Sequence, residues 1–249
     1  MNYKLEGSGK TLVFIHGLSD SLLYWEFLAS NLKDNYQVLR VDLQGHGESK
    51  LENEEITLNT YVNDLNNLLE RLNISKVNLI GFSLGSAVAL SFAAKYPQKV
   101  DCLVLMSAFY KADSTLTDTL NQFKNALEIG FEEFYDVILP MVLCEEVIDA
   151  NKEELELLKG MASQTANTEA YIKAVDVCLN LNAENDLPKI DVPTLILASS
   201  HDEISRLEMQ KELSSKIKNS KLIVFDNVKH NLLVGKTNEN VLNILKEFI

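Results

Sequence analysis

Val77-Asn78-Leu79-Ile80-Gly81-Phe82-Ser83-Leu84-Gly85-Ser86-Ala87-Val88 decides how the rest of the chain is read. An apolar run ends in Gly81-Phe82-Ser83-Leu84-Gly85, and small residues at helical spacing follow at once, as far as Ala94. The pattern is strand, one sharp turn, helix. A serine at the tip of such a turn takes a strained backbone conformation. Its neighbours two before and two after must be small, because strand and helix backbones nearly touch there. Glycine at both places meets that demand. The geometry lifts a hydroxyl clear of the sheet and aims the N–H groups of the helix start at whatever binds beside it.

On both sides of this turn, strands alternate with helices. Residues 3–10 read as a short strand and turn, and Thr11-Leu12-Val13-Phe14-Ile15 as a buried strand. The loop His16-Gly17-Leu18-Ser19-Asp20 follows, then a helical stretch over 22–32. A strand over 36–43 ends in the polar turn Gln44-Gly45-His46-Gly47-Glu48-Ser49, and Thr57 caps a helix from Leu58 to Leu72. Beyond the elbow helix, which stops near Pro97, strands are expected over 101–106, 192–198 and 221–225. Helices are expected over 206–218 and from about Asn238 to the end. This rhythm predicts an α/β protein, a parallel sheet covered on both faces.

Between residues 109 and 187 the rhythm breaks. There is no convincing strand, and amphipathic helical stretches lie around 114–128, 130–144, 152–166 and 168–181. This segment holds five lysines and no arginine against sixteen carboxylates, a net charge of −11 out of −13 for the chain. Parallel sheets bind ligands at the carboxyl ends of their strands. The expectation is therefore a core of residues 1–108 and 188–249, with 109–187 inserted above it as a helical cap.

The totals narrow the function classes. The chain has 249 residues, 46% of them hydrophobic and 24% charged, enough for one large globular core. The negative net charge disfavours nucleic-acid binding and adhesion to an anionic membrane. No apolar run approaches the ~20 residues of a bilayer span. The first residues lack a charged-then-apolar leader, and Cys102, Cys144 and Cys178 are odd in number and widely spaced. Free thiols in a reducing compartment follow, hence a cytoplasmic protein with no disulfide framework and no metal-ligand spacing.

A serine hydroxyl is a poor nucleophile until a base takes its proton, and the base needs a third group to fix its tautomer. The elbow arrangement has the chain order serine, carboxylate, histidine. Only His201 and His230 follow Ser83. His230 sits in the loop after strand 221–225, and Asp202 stands beside His201 after strand 192–198. Asp202 fits as acid and His230 as base, with the adjacent Glu203 the alternative acid. Acyl transfer also needs donors for a developing oxyanion: the N–H of Leu84 and, from the loop after the earlier strand, that of Leu18. His16 reads as a structural hydrogen-bonder.

These features together (His16-Gly17, Asp42-Leu43-Gln44-Gly45-His46-Gly47-Glu48-Ser49, the elbow, the strand leading to Asp202, and Lys229-His230-Asn231) resemble the α/β-hydrolase superfamily over nearly the whole chain. Within it the chain most resembles small serine esterases and lactonases, of the type that includes 3-oxoadipate enol-lactonase and the pimeloyl-carrier-protein methyl ester esterase. The resemblance implies an eight-stranded, mostly parallel sheet, a structural role for the Gly45-His46-Gly47-x-Ser49 turn, and no cofactor. Serine at the elbow excludes the carboxylate-nucleophile chemistry of dehalogenase and epoxide-hydrolase relatives. The expected activity is hydrolysis of a small neutral ester or lactone through an acyl-enzyme. Rivals are a lyase, perhydrolase or acyltransferase on the same triad, or a non-catalytic receptor. Trp25, Phe109, Tyr110, Phe134 and Met141 are the candidate pocket-lining residues; packing of its own helix is an equal role for Trp25, and core of the insertion is the favoured role for each of the other four. The sequence is silent on oligomeric state.

Overall fold

The computed structural model describes residues 1–52 and 54–249. Among the described residues seven strands form one sheet: β1 (Tyr3–Glu6), β2 (Thr11–Ile15), β3 (Gln37–Val41), β4 (Val77–Phe82), β5 (Val100–Met106), β6 (Thr194–Ser199) and β7 (Ser220–Phe225), in the order β1-β3-β2-β4-β5-β6-β7. β1 pairs antiparallel with β3 at the edge, and every other pairing is parallel. The sheet thus has one strand fewer than the eight expected from the resemblance. Residues 7–10 link β1 to β2, so the antiparallel edge strand leads directly into the parallel set.

Helices cover both faces. α1 (Glu26–Leu32) and the last helix lie on one side, where Leu12, Phe14, Ile80, Val104 and Leu197 pack against Leu28, Leu32, Leu242 and Leu245. α2 (Leu58–Arg71) and α3 (Leu84–Lys95) lie on the other, against Val13, Leu39, Leu79, Leu103 and Ile196. The alternation of neighbouring residues between the two cores is the period-two signature of a strand buried on both faces. α2 starts where Thr57 and Thr60 exchange side-chain-to-backbone hydrogen bonds, a reciprocal cap.

The stretch expected as one helix over 22–32 is divided. Leu22–Trp25 forms a 3-10 turn, and the α-helix begins only at Glu26. Two side chains explain the tighter winding: Ser21 accepts from the Leu23 N–H, and the Asp42 carboxylate takes the Leu22 N–H at 2.7 Å. Asp42 also accepts from Glu48 N and Asn2 Nδ2, so one buried carboxylate ties the β3 turn, the N-terminus and the segment after the His16 loop together.

Between β5 and β6 the chain forms α4 (Ser114–Ile129), α5 (Phe131–Val142), α6 (Glu145–Ala150), α7 (Lys152–Thr165) and α8 (Thr168–Leu179). Phe123, Phe134, Ala174 and Val175 from this insertion are buried in the same apolar cluster as α2 and α3. α9 (Leu207–Lys216) and α10 (Thr237–Phe248) follow β6 and β7. No helix among the described residues is long and apolar enough to cross a membrane. Cys102 and Cys178 are buried and Cys144 half-buried, all as free thiols; burial pushes the first two up to about 12.

Candidate active site

Ser83 stands between β4 and α3 with φ 53° and ψ −118°, a left-handed conformation that costs a non-glycine residue of order 1–3 kcal/mol. Its surroundings hold it there. The Ser83 N–H donates to Met106 O at 3.0 Å, and Ser86 Oγ donates to Ser83 O at 2.6 Å. The two glycines leave no slack: a Cβ on Gly81 would meet Gly85 O at 2.3 Å, and one on Gly85 would meet Ile15 O at 2.1 Å. The close approach read from the sequence is the reason both positions lack a side chain.

The structure brings Ser83, His230 and Asp202 into one hydrogen-bonded chain. His230 Nε2 lies 2.9 Å from Ser83 Oγ, and His230 Nδ1 lies 2.8 Å from Asp202 Oδ2. Asp202 sits just past β6, where its Oδ1 accepts from the N–H groups of Ile204 and Ser205, both at 2.9 Å. Four donors converge on this carboxylate, so its orientation is fixed before any substrate arrives. Glu203, the alternative acid, is exposed and paired with Lys229 at 2.8 Å rather than with His230. His201 is likewise exposed. His230 is steadied through its backbone, since Ser107 Oγ donates to His230 O at 2.6 Å.

Gly17 lets the β2 loop press against the elbow; a Cβ there would lie 3.0 Å from the Phe82 ring and 3.3 Å from Ser83 Cβ. Leu18, next in that loop, gives its N–H to no described residue, and Leu84 carries the first N–H of α3, one of those an α-helix leaves unpaired. His16 shapes the loop from below. Its Nδ1 donates to Gly17 O at 2.7 Å, and its Nε2 accepts from Leu43 N at 3.0 Å, which fixes the neutral tautomer. His46 lies 5.2 Å from it, ring to ring. Burial pushes His16 down to about 4 and His46 down to about 3, so both are neutral packing groups near pH 7.

The expected pocket residues divide. Trp25 is not a wall of the site: it is fully buried against Phe14 at 5.0 Å, in the core shared with α1 and α10. Tyr110 is also drawn elsewhere. Its ring lies beneath the ammonium groups of Lys111 and Lys216, at 5.2 and 5.3 Å, on the α9 side of the insertion. Phe109 and Phe134 are buried in the insertion's own packing, Phe134 edge-on to Phe123 at 5.7 Å. Met141 is half-buried at the end of α5, next to Val142, whose carbonyl accepts the Asn231 N–H beside His230.

Three contributors escaped the sequence reading. Ser205 Oγ donates to Asp202 Oδ2 at 2.7 Å and lies 3.3 Å from His230 Nδ1. Ser107 holds the His230 backbone, as above. Tyr24 stacks on Phe82 at 4.6 Å and donates from its hydroxyl to Asn231 Oδ1 at 3.0 Å, tying the 3-10 turn to the His230 loop. Only Ser205 left a trace in the sequence, as a hydroxyl three residues after a loop aspartate, the spacing of a local side-chain turn. Among the described residues no group of His, Cys, Asp and Glu is arranged to hold a metal ion.

Comparison with known proteins matches this architecture. An uncharacterized protein of Mycobacterium tuberculosis is 34% identical over 142 residues, which is 57% of this chain and 40% of that protein. The chain thus spans well under two thirds of that relative's length. Among solved structures, MGS-M2, an alpha/beta hydrolase enzyme from a Medee basin deep-sea metagenome library, superposes with a TM-score of 0.92 at 26% identity, covering 99% of this chain and 93% of that one. The enol-lactonase of Burkholderia xenovorans shares the fold, with a TM-score of 0.89 at 18% identity over 99% of this chain and 95% of that one. The family described as alpha/beta hydrolase fold matches residues 10–139, just over half of the sequence, and the chain belongs to that family.

Proposed function

We propose that this protein is a serine hydrolase that cleaves small carboxylic esters or lactones through an acyl-enzyme, with residues 109–187 acting as a cap over the site. The observation that carries this reading is the Ser83–His230–Asp202 hydrogen-bond chain at the elbow, beside the unpaired Leu18 and Leu84 N–H groups. His230 takes the Ser83 proton as Oγ attacks the carbonyl carbon. The two N–H groups receive the negative charge that develops on the carbonyl oxygen, a contribution of about 3 kcal/mol per donor where it has been removed by mutation. His230 then passes the proton to the departing alcohol. Water, deprotonated by the same imidazole, releases the acid, while Asp202 keeps Nδ1 protonated and the ring in place. These steps need no cofactor.

The strongly acidic cap disfavours an acidic carrier protein as the source of the acyl group, because like charges would meet on docking. A small ester that enters alone fits better. Ser83→Ala tests the assignment. Hydrolysis of p-nitrophenyl butyrate should fall by at least about a thousandfold, and labelling by a fluorophosphonate should disappear. Undiminished hydrolysis in Ser83→Ala would refute the nucleophile.

A further inference from the structure

His230 follows β7, the strand at the far edge of the sheet, yet its imidazole meets Ser83 just past β4. The loop that carries it must travel back over two strand ends, and serines mark the route. The chain leaves β7 at Phe225, whose carbonyl accepts the Ser200 N–H at 3.0 Å. Val228 O then accepts from Ser199 Oγ, at the end of β6. Two residues on, His230 O accepts from Ser107 Oγ, just past β5, at 2.6 Å. The ring covers the last step, with Nε2 2.9 Å from Ser83 Oγ. Two extended residues reach up to about 7 Å, enough to pass from one strand to its neighbour about 4.8 Å away. The loop thus crosses β6 and β5 in turn, bonded to a strand-end hydroxyl at each.

Ser107 and Ser199 are both fully buried. Ser199 Oγ also accepts from the His201 N–H at 3.0 Å. One oxygen therefore joins the residue before the proposed acid to the loop that carries the proposed base. Ser107 is pinned by its own N–H, which donates to Leu197 O at 2.9 Å. Its φ is 47°, a left-handed conformation that glycine takes freely and serine takes at an energetic cost. The strain is kept with a side chain whose hydroxyl bonds to His230 O and to no other described residue.

On the serine-hydrolase reading above, we propose that Ser107 and Ser199 are positioning residues for the general base. They fix the carbonyls of His230 and Val228 over the ends of β5 and β6, and so set the reach of the imidazole to Ser83 and its alignment on Asp202. The triad bonds of 2.8 and 2.9 Å leave little room for drift. A misplacement of about 1 Å in a reacting group can cost a hundredfold in rate.

The experiment measures kcat and KM for p-nitrophenyl butyrate beside thermal melting. Ser107→Gly removes the hydroxyl while suiting the backbone, so the variant should melt close to the wild type. Its kcat should fall at least about tenfold, with KM within about twofold. Ser199→Ala should lose a similar factor, and Ser199→Thr, which keeps a hydroxyl, should recover most of it. A kcat for Ser107→Gly within about twofold of wild type would overturn the proposal, as would equal losses in Ser199→Ala and Ser199→Thr. Ser107→Gly decides the matter if Ser199→Ala fails to fold.

A second measurement needs no turnover. The His230 Nδ1–H held by Asp202 should give a low-field proton resonance, assigned by its absence in His230→Gln. The signal should survive in Ser199→Thr and be lost by exchange with water in Ser107→Gly and Ser199→Ala. Where no ester is hydrolysed, that loss upholds the placement of His230 by the two serines. Persistence of the signal in both variants refutes it, whether or not Ser83 proves to be the nucleophile.

Discussion

The elbow and the helical insertion solve opposite problems. At the elbow, backbones approach so closely that Gly81 and Gly85 have no room for a methyl group, and every polar atom of the triad has a fixed partner. In the insertion, Gly130 and Gly160 have nothing within 4 Å of where a side chain would go, and Leu157, Leu158 and Met161 of α7 are exposed. The first region fixes the Ser83 hydroxyl 2.9 Å from the His230 imidazole. The second leaves part of its surface unpacked, and many sequences would serve there. The difference teaches which substitutions the protein should refuse and which it should absorb.

The sharpest break of that contrast is Gly85→Ala. The added carbon would collide with the β2 backbone at 2.1 Å, so α3 must shift, and the variant should lose soluble expression or melt at least about 10 °C lower. Wild-type melting would show the elbow to be looser than its packing indicates.

Acid should act next most strongly, and through the site's underside. His16 falls from 6.5 to about 4 and His46 from 6.5 to about 3 in the folded protein. The unfolded chain therefore binds protons first, and stability is lost as pH falls from 6.5 toward 4, by about 3 kcal/mol from His16 alone. Asp20 works in the other direction. Raised from 3.8 to about 7, it binds its proton first in the folded state and adds stability as pH falls across that window. Urea melts at pH 7 and pH 4.5 should show a net loss for the wild type and a larger one for Asp20→Asn.

A smaller effect belongs to Ser205. Removing its hydroxyl leaves Asp202 with three donors, so Ser205→Ala should lower kcat by roughly tenfold with little change in KM, and Ser205→Thr should restore part of it. Equal loss in both variants would indicate packing rather than orientation. At the tolerant end, Gly160→Ala in the exposed middle of α7 should stabilise the protein by up to about 1 kcal/mol, because glycine is a poor helix former and the new methyl group meets nothing. Destabilisation there would mean that α7 is more closely engaged than its exposure implies.

What the sequence makes legible follows the same division. The elbow, the order of serine, carboxylate and histidine, and the alternation of strands and helices are local patterns with few physical solutions, and each appears in the structure at the residues that carry it. Trp25 and Tyr110 are different. Whether an aromatic ring enters a cavity or a core depends on neighbours distant in sequence: Phe14 for one, Lys111 and Lys216 for the other. The 3-10 turn was equally hidden, since it arises from Asp42, twenty residues downstream of Leu22.

His230 is flanked by two ties to the end of α5. Lys229 Nζ donates to Pro140 O at 2.7 Å, and Asn231 N donates to Val142 O at 3.1 Å. Both acceptors belong to the last turn of a helix, where carbonyls have no successor of their own to bond. Moving α5 away from the His230 loop breaks both bonds and slackens the segment that carries the imidazole. The insertion and the His230 imidazole thus share one anchor, and a mutation that loosens one unsettles the other.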